Sequence, residues 1–128
     1  MTLLIDTHVF LWSIGAESKL SKRAFASMKR GSGNELFLSI ASLWEIALKV
    51  DSGKLDLPTT PAYFDTHMTI LGARLLHISP AHIHATLSLP KIHKDPFDRM
   101  LAAQCVVEKM HLVTTDKIFR KYPIETLW

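Results

Sequence analysis

Four carboxylates in this 128-residue chain stand where acid chemistry would need them: Asp6, Glu45, Asp98 and Asp116. Asp6 ends the apolar run Leu3-Leu4-Ile5. An unbroken apolar run marks a strand covered on both faces, and open α/β sheets gather their ligands at the carboxyl ends of such strands. Glu45 sits inside Trp44-Glu45-Ile46-Ala47-Leu48, an acid among residues expected in a core. Asp98 falls in the first turn of a helix opened by Asp95-Pro96, and Asp116 follows Leu112-Val113-Thr114-Thr115. In a parallel sheet all four can face one edge. Buried carboxylates without partners are costly, and neighbouring ones raise each other's pKa, so the set calls for a cation. Mg²⁺ and Mn²⁺ prefer carboxylates and water. A cation held this way polarises a phosphoryl oxygen and acidifies an attacking water. Phosphodiester cleavage is therefore the leading chemistry.

Each acid also has a local alternative. Asp6 can cap the next helix. Glu45 precedes Lys49 by four positions, the favourable order for a helix-surface ion pair. Asp95 before Pro96 is a good N-cap, which puts Asp98 at the third helical position, where a carboxylate suits the helix dipole. Asp116 can cap the short helix after it. These roles account for the acids singly but not for the acid in an apolar segment.

The elements that position the acids follow from punctuation and periodicity. A first strand and short helix run to Gly15. Ser21 caps a helix over 22–30 with Phe25 and Met28 as its apolar stripe, and Gly31-Ser32-Gly33-Asn34 is a turn. Leu36-Phe37-Leu38 is a strand; Ser39 caps a helix over 40–51 that stops before Gly53. Thr60-Pro61 opens a helix to Leu71. A strand over 74–78, a helix from Ser79-Pro80 to Leu87, a polar loop over 88–94, and a helix from Asp95-Pro96 to Met110 follow. Leu112-Val113-Thr114 is a strand, 116–121 a short helix, and 124–127 an edge strand. This alternation predicts a single α/β domain over 1–128, a three-layer α/β/α sandwich around a central, mostly parallel sheet.

Composition bounds the rest. Apolar residues make up 48%, enough for a core. No run approaches the ~20 residues of a membrane span, and no signal-peptide pattern precedes Asp6 and His8, so a cytoplasmic protein is expected. The single Cys105 agrees and is expected to be buried and inert. The net charge of +3 permits a nucleic-acid partner without requiring one. No glycine-rich phosphate loop is present, which argues against a nucleotide-binding enzyme. The basic group Lys19, Lys22, Arg23, Lys29 and Arg30 is expected on an exposed helix face. Lys94, Arg99, Lys117 and Arg120 lie beside the acids and are candidates for RNA phosphate contact. His82 and His84 fall on different helix faces and make a poor metal pair. His8 and His93 flank acidic blocks, with surface or core roles expected. Trp12, Trp44 and Phe97 are expected as packing residues.

At the acidic blocks the chain resembles PIN-domain ribonucleases, and among them the VapC toxins of bacterial toxin–antitoxin pairs. The likeness lies in Ile5-Asp6-Thr7-His8, in Ser42-Leu43-Trp44-Glu45-Ile46 through Gly53-Lys54-Leu55, in Asp95-Pro96-Phe97-Asp98-Arg99-Met100-Leu101-Ala102-Ala103-Gln104, and in Thr114-Thr115-Asp116. The resemblance implies a Mg²⁺- or Mn²⁺-dependent endoribonuclease, a homodimer, and a cognate antitoxin. It implies Asp6, Glu45, Asp98 and Asp116 as catalytic and metal-binding residues. It favours Asp98 over Asp95 because two alanines follow Asp98 at the family's distance. Two rivals remain: a non-catalytic nucleic-acid-binding or regulatory module whose acids are caps and ion pairs, and a phosphatase with Asp6 as nucleophile. The second usually has a further carboxylate two residues on, where this chain has His8.

Overall fold

The computed structural model describes residues 1–58 and 60–128. Strand β1 (Thr2–Ile5) leads into α1 (Thr7–Gly15), and α2 (Lys22–Met28) precedes β2 (Glu35–Ser39). Then come α3 (Ile40–Asp51), α4 (Pro61–Leu71), β3 (Ala73–Leu76), α5 (Pro80–Ser88), α6 (Pro96–Glu108), β4 (His111–Val113) and β5 (Thr126–Leu127). The five strands run in the order β3-β2-β1-β4-β5, and every neighbouring pair is parallel. The expected parallel α/β/α sandwich is thus the observed fold.

The central position of β1 follows from its sequence. Leu3, Leu4 and Ile5 have no solvent exposure. Leu3 and Ile5 pack into one core with Val9, Phe10, Ala24, Met28 and Ile46, on the side of α1, α2 and α3. Leu4 faces the opposite core, with Leu101, Ala102 and Cys105 of α6. Alternate side chains of one strand therefore supply both layers, each contributing about 1.5–3 kcal/mol by burial.

Capping matches the sequence at several ends. Ser21 accepts from the Ala24 amide, Ser39 from Ala41, and Ser79 from His82. Gly72 ends α4 at φ 72°, a left-handed conformation that suits glycine.

Several expectations are corrected. Helix α2 stops at Met28 rather than Arg30, and its buried stripe is Ala24 and Met28, with Phe25 half-exposed. Helix α6 ends at Glu108, two residues short of Met110, because Lys109 turns left-handed at φ 55°. Strand β3 is shifted to 73–76, and β5 is only Thr126–Leu127. Trp44 does not pack into the core: it is 60% exposed, and Leu48 46%. The helix turns Ile46 inward and leaves Trp44 edge-on against Phe97, centroids 5.4 Å apart. Cys105 is buried as expected, and desolvation pushes its thiol up to about 12, which leaves it unreactive.

Candidate active site

The chain winds from β1 outward through β2 to β3, then returns to β4 on the other side of β1. That reversal opens a crevice beyond the carboxyl ends of β1 and β4, the place where such sheets bind ligands. Asp6 leaves β1 there, its amide donating to the Val113 carbonyl at 3.0 Å. Asp6 stands at the N-cap position of α1, but its buried side chain makes no capping hydrogen bond there. Instead the Thr114 hydroxyl donates to Asp6 Oδ2 at 2.7 Å. The same hydroxyl oxygen accepts from the Asp116 amide at 3.1 Å, tying the ends of β1 and β4 together. Next door, Thr7 donates to the Ser42 hydroxyl at 2.9 Å and so joins the starts of α1 and α3.

Glu45 is buried on α3 and pairs with Lys49 at 2.9 Å. The expected i,i+4 ion pair is therefore real, and it coexists with burial at the crevice. Asp116 also does two things. Its Oδ1 accepts from the Ile118 amide at 2.9 Å, capping a short 3-10 turn, while its Oδ2 faces His93 Nε2 at 3.3 Å. Asp98 Oδ2 lies 3.9 Å from the same nitrogen. One ligand atom each from His93, Asp98 and Asp116 falls within 4.8 Å of the others. Asp6 and Glu45 lie outside that tight group but close enough for their charges to act on Asp98.

Electrostatics distinguishes the acids. Burial, then the charges of Asp95, Asp6 and Glu45, push Asp98 up to about 7, with His93 opposing. Burial also raises Asp6, against the Thr114 hydrogen bond and the nearby His8. Asp95 is exposed and caps α6, accepting from the amides of Phe97 at 2.8 Å and Asp98 at 3.4 Å. Since asparagine caps about as well as aspartate, Asp95→Asn is expected to leave the melting temperature unchanged, whereas Asp95→Ala costs about 1 kcal/mol. Thermal melts of both variants check this; a large loss in Asp95→Asn would mean that the charge itself holds the helix.

His93 is the residue that sequence reasoning undervalued. Its backbone amide donates to the Tyr122 hydroxyl oxygen at 3.0 Å, and its Nδ1 is 3.0 Å from the same oxygen. A carboxylate only accepts, so a hydrogen on Nε2 satisfies the Asp116 contact and leaves Nδ1 to accept the phenol's proton. Nε2 then carries the hydrogen and aims it at Asp116 and Asp98. The ring stacks on Tyr122 with planes 3° apart, which fixes this orientation. The only advance signal was position: His93 stands two residues before Asp95. Thr7, Ser42 and Thr114 were likewise visible beside the acids, with nothing local to assign them.

Of the basic candidates, Arg99 has its guanidinium occupied. It donates to the Pro90 carbonyl at 2.8 Å and the Thr86 carbonyl at 2.6 Å, strapping the loop before α6 to α5. Lys94, Lys117 and Arg120 are exposed. His82 is buried, accepting from the Ser79 amide and facing Glu108 at 2.8 Å, while His84 is exposed; the two do not form a metal pair.

A parallel α/β/α sandwich with acids gathered at its strand reversal defines an acidic-cleft α/β domain. The chain belongs to the PIN domain family, whose match spans residues 3–125. That family consists generally of nucleases that use divalent metals. The fold is similar to the crystal structure of VapBC2 from Rickettsia felis bound to a DNA fragment from their promoter, with TM-score 0.72, 14% identity and 100% of each chain covered. It is also similar to a toxin–antitoxin complex from Klebsiella pneumoniae, with TM-score 0.58, 16% identity, and 91% of this chain and 89% of that one covered. FitAcB from Neisseria gonorrhoeae aligns with TM-score 0.57 and 14% identity over 97% of this chain and 95% of that one. No curated protein sequence matches the chain. Among the described residues, no helix is long and apolar enough to cross a membrane.

Proposed function

We propose that the chain is a divalent-metal-dependent endoribonuclease and the toxin of a toxin–antitoxin pair. The observation that carries this reading is the acid cluster itself: one ligand atom each of His93, Asp98 and Asp116 lies within 4.8 Å of the others, with the charges of Asp6 and Glu45 near enough to help push the Asp98 carboxyl up to about 7. A site that resists its own ionisation is one that gains most from a cation. The donors fit a hard divalent ion, being carboxylate oxygens rather than sulfur, with Lys49 and His93 as the cationic or polar neighbours. Asp6, Asp98 and Asp116 would hold Mg²⁺ or Mn²⁺, with Glu45 binding the metal or orienting a water. The ion would polarise the scissile phosphate and acidify the attacking water.

The chain's own groups prepare that event. Thr114 holds Asp6 in place, and His93, steadied by Tyr122, bonds Asp116 with its Nε2 3.9 Å from Asp98. Its Nε2–H stabilises their charge, so we read His93 as a positioning residue rather than a ligand. Lys94, Lys117 and Arg120, which are exposed, would contact phosphate, while Arg99 straps the loop to α5. Incubation with total RNA and Mn²⁺ is expected to give discrete fragments with mappable ends. Intact RNA across Mg²⁺ and Mn²⁺ would remove the nuclease and leave the binding-module rival.

An antitoxin is part of the same reading, supported by the toxin–antitoxin complexes that share the fold. The expected antitoxin covers the acidic cleft and reaches the carboxylates with a basic side chain. A homodimer is also proposed, supported by the exposure of Ile83 and Leu87 on α5 and of Val106 and Val107 on α6.

The raised carboxyls have a thermodynamic consequence. Asp98 keeps its proton in the folded state up to about 7, whereas unfolded it ionises near 3.8. In chelator the folded state therefore binds more protons between those values, and stability falls as pH rises through that window. Asp6 acts in the same direction. Melting in chelator is expected to drop from pH 4.5 to 7.5 more steeply for wild type than for Asp98→Asn. Added Mn²⁺ should restore most at the high end. Parallel pH profiles for the two proteins would count against the buried acid.

A further inference from the structure

A second cavity, of about 90 Å³, has Asp116 in its wall but not His93. Its walls come from α2, from the ends of β4 and β5, and from the 3-10 turn over 117–121. Arg23, Lys117 and Arg120 line it, with Thr115 and Thr126. Arg23 is exposed on α2, as expected, and the fold sets that face beside β5 and the turn that follows β4.

Among the described residues, none of these three cations forms an ion pair, although Lys49 and Arg74 do. Two guanidinium groups and an ammonium outnumber the single Asp116 carboxylate in the lining, so the cavity favours an anion with several acceptor oxygens. The Thr115 and Thr126 hydroxyls add neutral donors. Asp116 forms one wall and also faces the His93 and Asp98 cluster, so an anion here is a neighbour of whatever binds there.

We propose that this cavity is a phosphate subsite, holding the backbone phosphate of an RNA strand next to the one being cut, with Arg23 as its defining residue. This rests on the nuclease reading. Arg23, Lys117 and Arg120 bind and orient; they do not take part in bond cleavage. Their contribution enters KM and leaves kcat nearly unchanged, because the contact is the same before and during cleavage.

The test pairs binding with cleavage, using the full chain and a labelled single-stranded oligoribonucleotide. Binding is measured in chelator over a range of salt. Each phosphate contact on a single strand contributes about 0.7 to the slope of log affinity against log salt. Arg23→Gln is expected to lower that slope by about 0.7, to weaken binding roughly threefold to tenfold at low salt, and to raise KM in Mn²⁺ with kcat within about twofold. Lys117→Gln and Arg120→Gln should do the same. Arg74→Gln, at the opposite edge of the sheet, should do neither. Cleavage by wild type with unchanged slope and KM in Arg23→Gln overturns the subsite and leaves the nuclease intact. An equal effect from Arg74→Gln also overturns it, since any surface charge would then serve. Displacement of the oligonucleotide by polyglutamate at matched charge overturns it in favour of an acidic peptide. A lowered slope in Arg23→Gln with no cleavage by wild type in any metal supports the anion subsite and removes the nuclease reading.

Discussion

Asp98→Asn is expected to lower RNA cleavage by roughly a hundredfold or more while the protein stays folded. Replacement of groups that merely orient a metal ligand already costs about 10–100-fold, and an amide is a poor ligand for a hard cation. The fold should tolerate the change. The lost charge at the third position of α6 costs about 0.3–1 kcal/mol through the helix dipole, and relief of repulsion from Asp95, Asp6 and Glu45 offsets it. Asp6→Asn is expected to behave similarly, since its Oδ2 can still accept from Thr114 as an amide oxygen. Asp95→Asn keeps the α6 cap and should retain most activity. The measurement is cleavage rate beside melting temperature for the three variants. Loss of cleavage in Asp95→Asn with full activity in Asp98→Asn would mean that the third ligand is Asp95.

Removal of divalent cations is expected to abolish cleavage, and excess Mn²⁺ to restore it. The same ion should raise the melting temperature of wild type. A ligand that binds only the folded state stabilises by about 2.7 kcal/mol at a hundred times its Kd. For a domain of this size that is a shift of several degrees. Asp98→Asn should show a much smaller shift, since it lacks a donor that the ion needs. The two readouts separate failure modes. Full-rate cleavage in excess chelator would sink the metal mechanism outright. A metal-induced shift without cleavage would keep the site and discard the reaction.

The blocks holding the acids were legible because their local signals are strong. Leu3-Leu4-Ile5 had to be a covered strand, and the fold buries all three completely. Ser21, Ser39 and Asp95 announced helix starts, and each accepts the expected backbone hydrogen bond. Trp44 misled because an apolar stretch of helix was read as wholly inward, whereas a helix shows only one face to the core. Glu45 and Ile46 took that face and turned Trp44 outward.

By itself, then, the sequence determined the element order and the caps at Ser21, Ser39, Ser79 and Asp95, because turn chemistry, helix starts and side-chain alternation act over a few residues. It did not determine which distant groups hold the acids. Thr114 reaches Asp6 across 108 positions, and Tyr122 steadies His93 across 29. Arg23 meets Lys117 and Arg120 only because β4 and β5 lie on the far side of β1 from β2. These pairings depend on strand order and layer packing, which the whole chain decides through burial. The raised Asp98 carboxyl has the same origin: desolvation exists only once both layers close over the crevice.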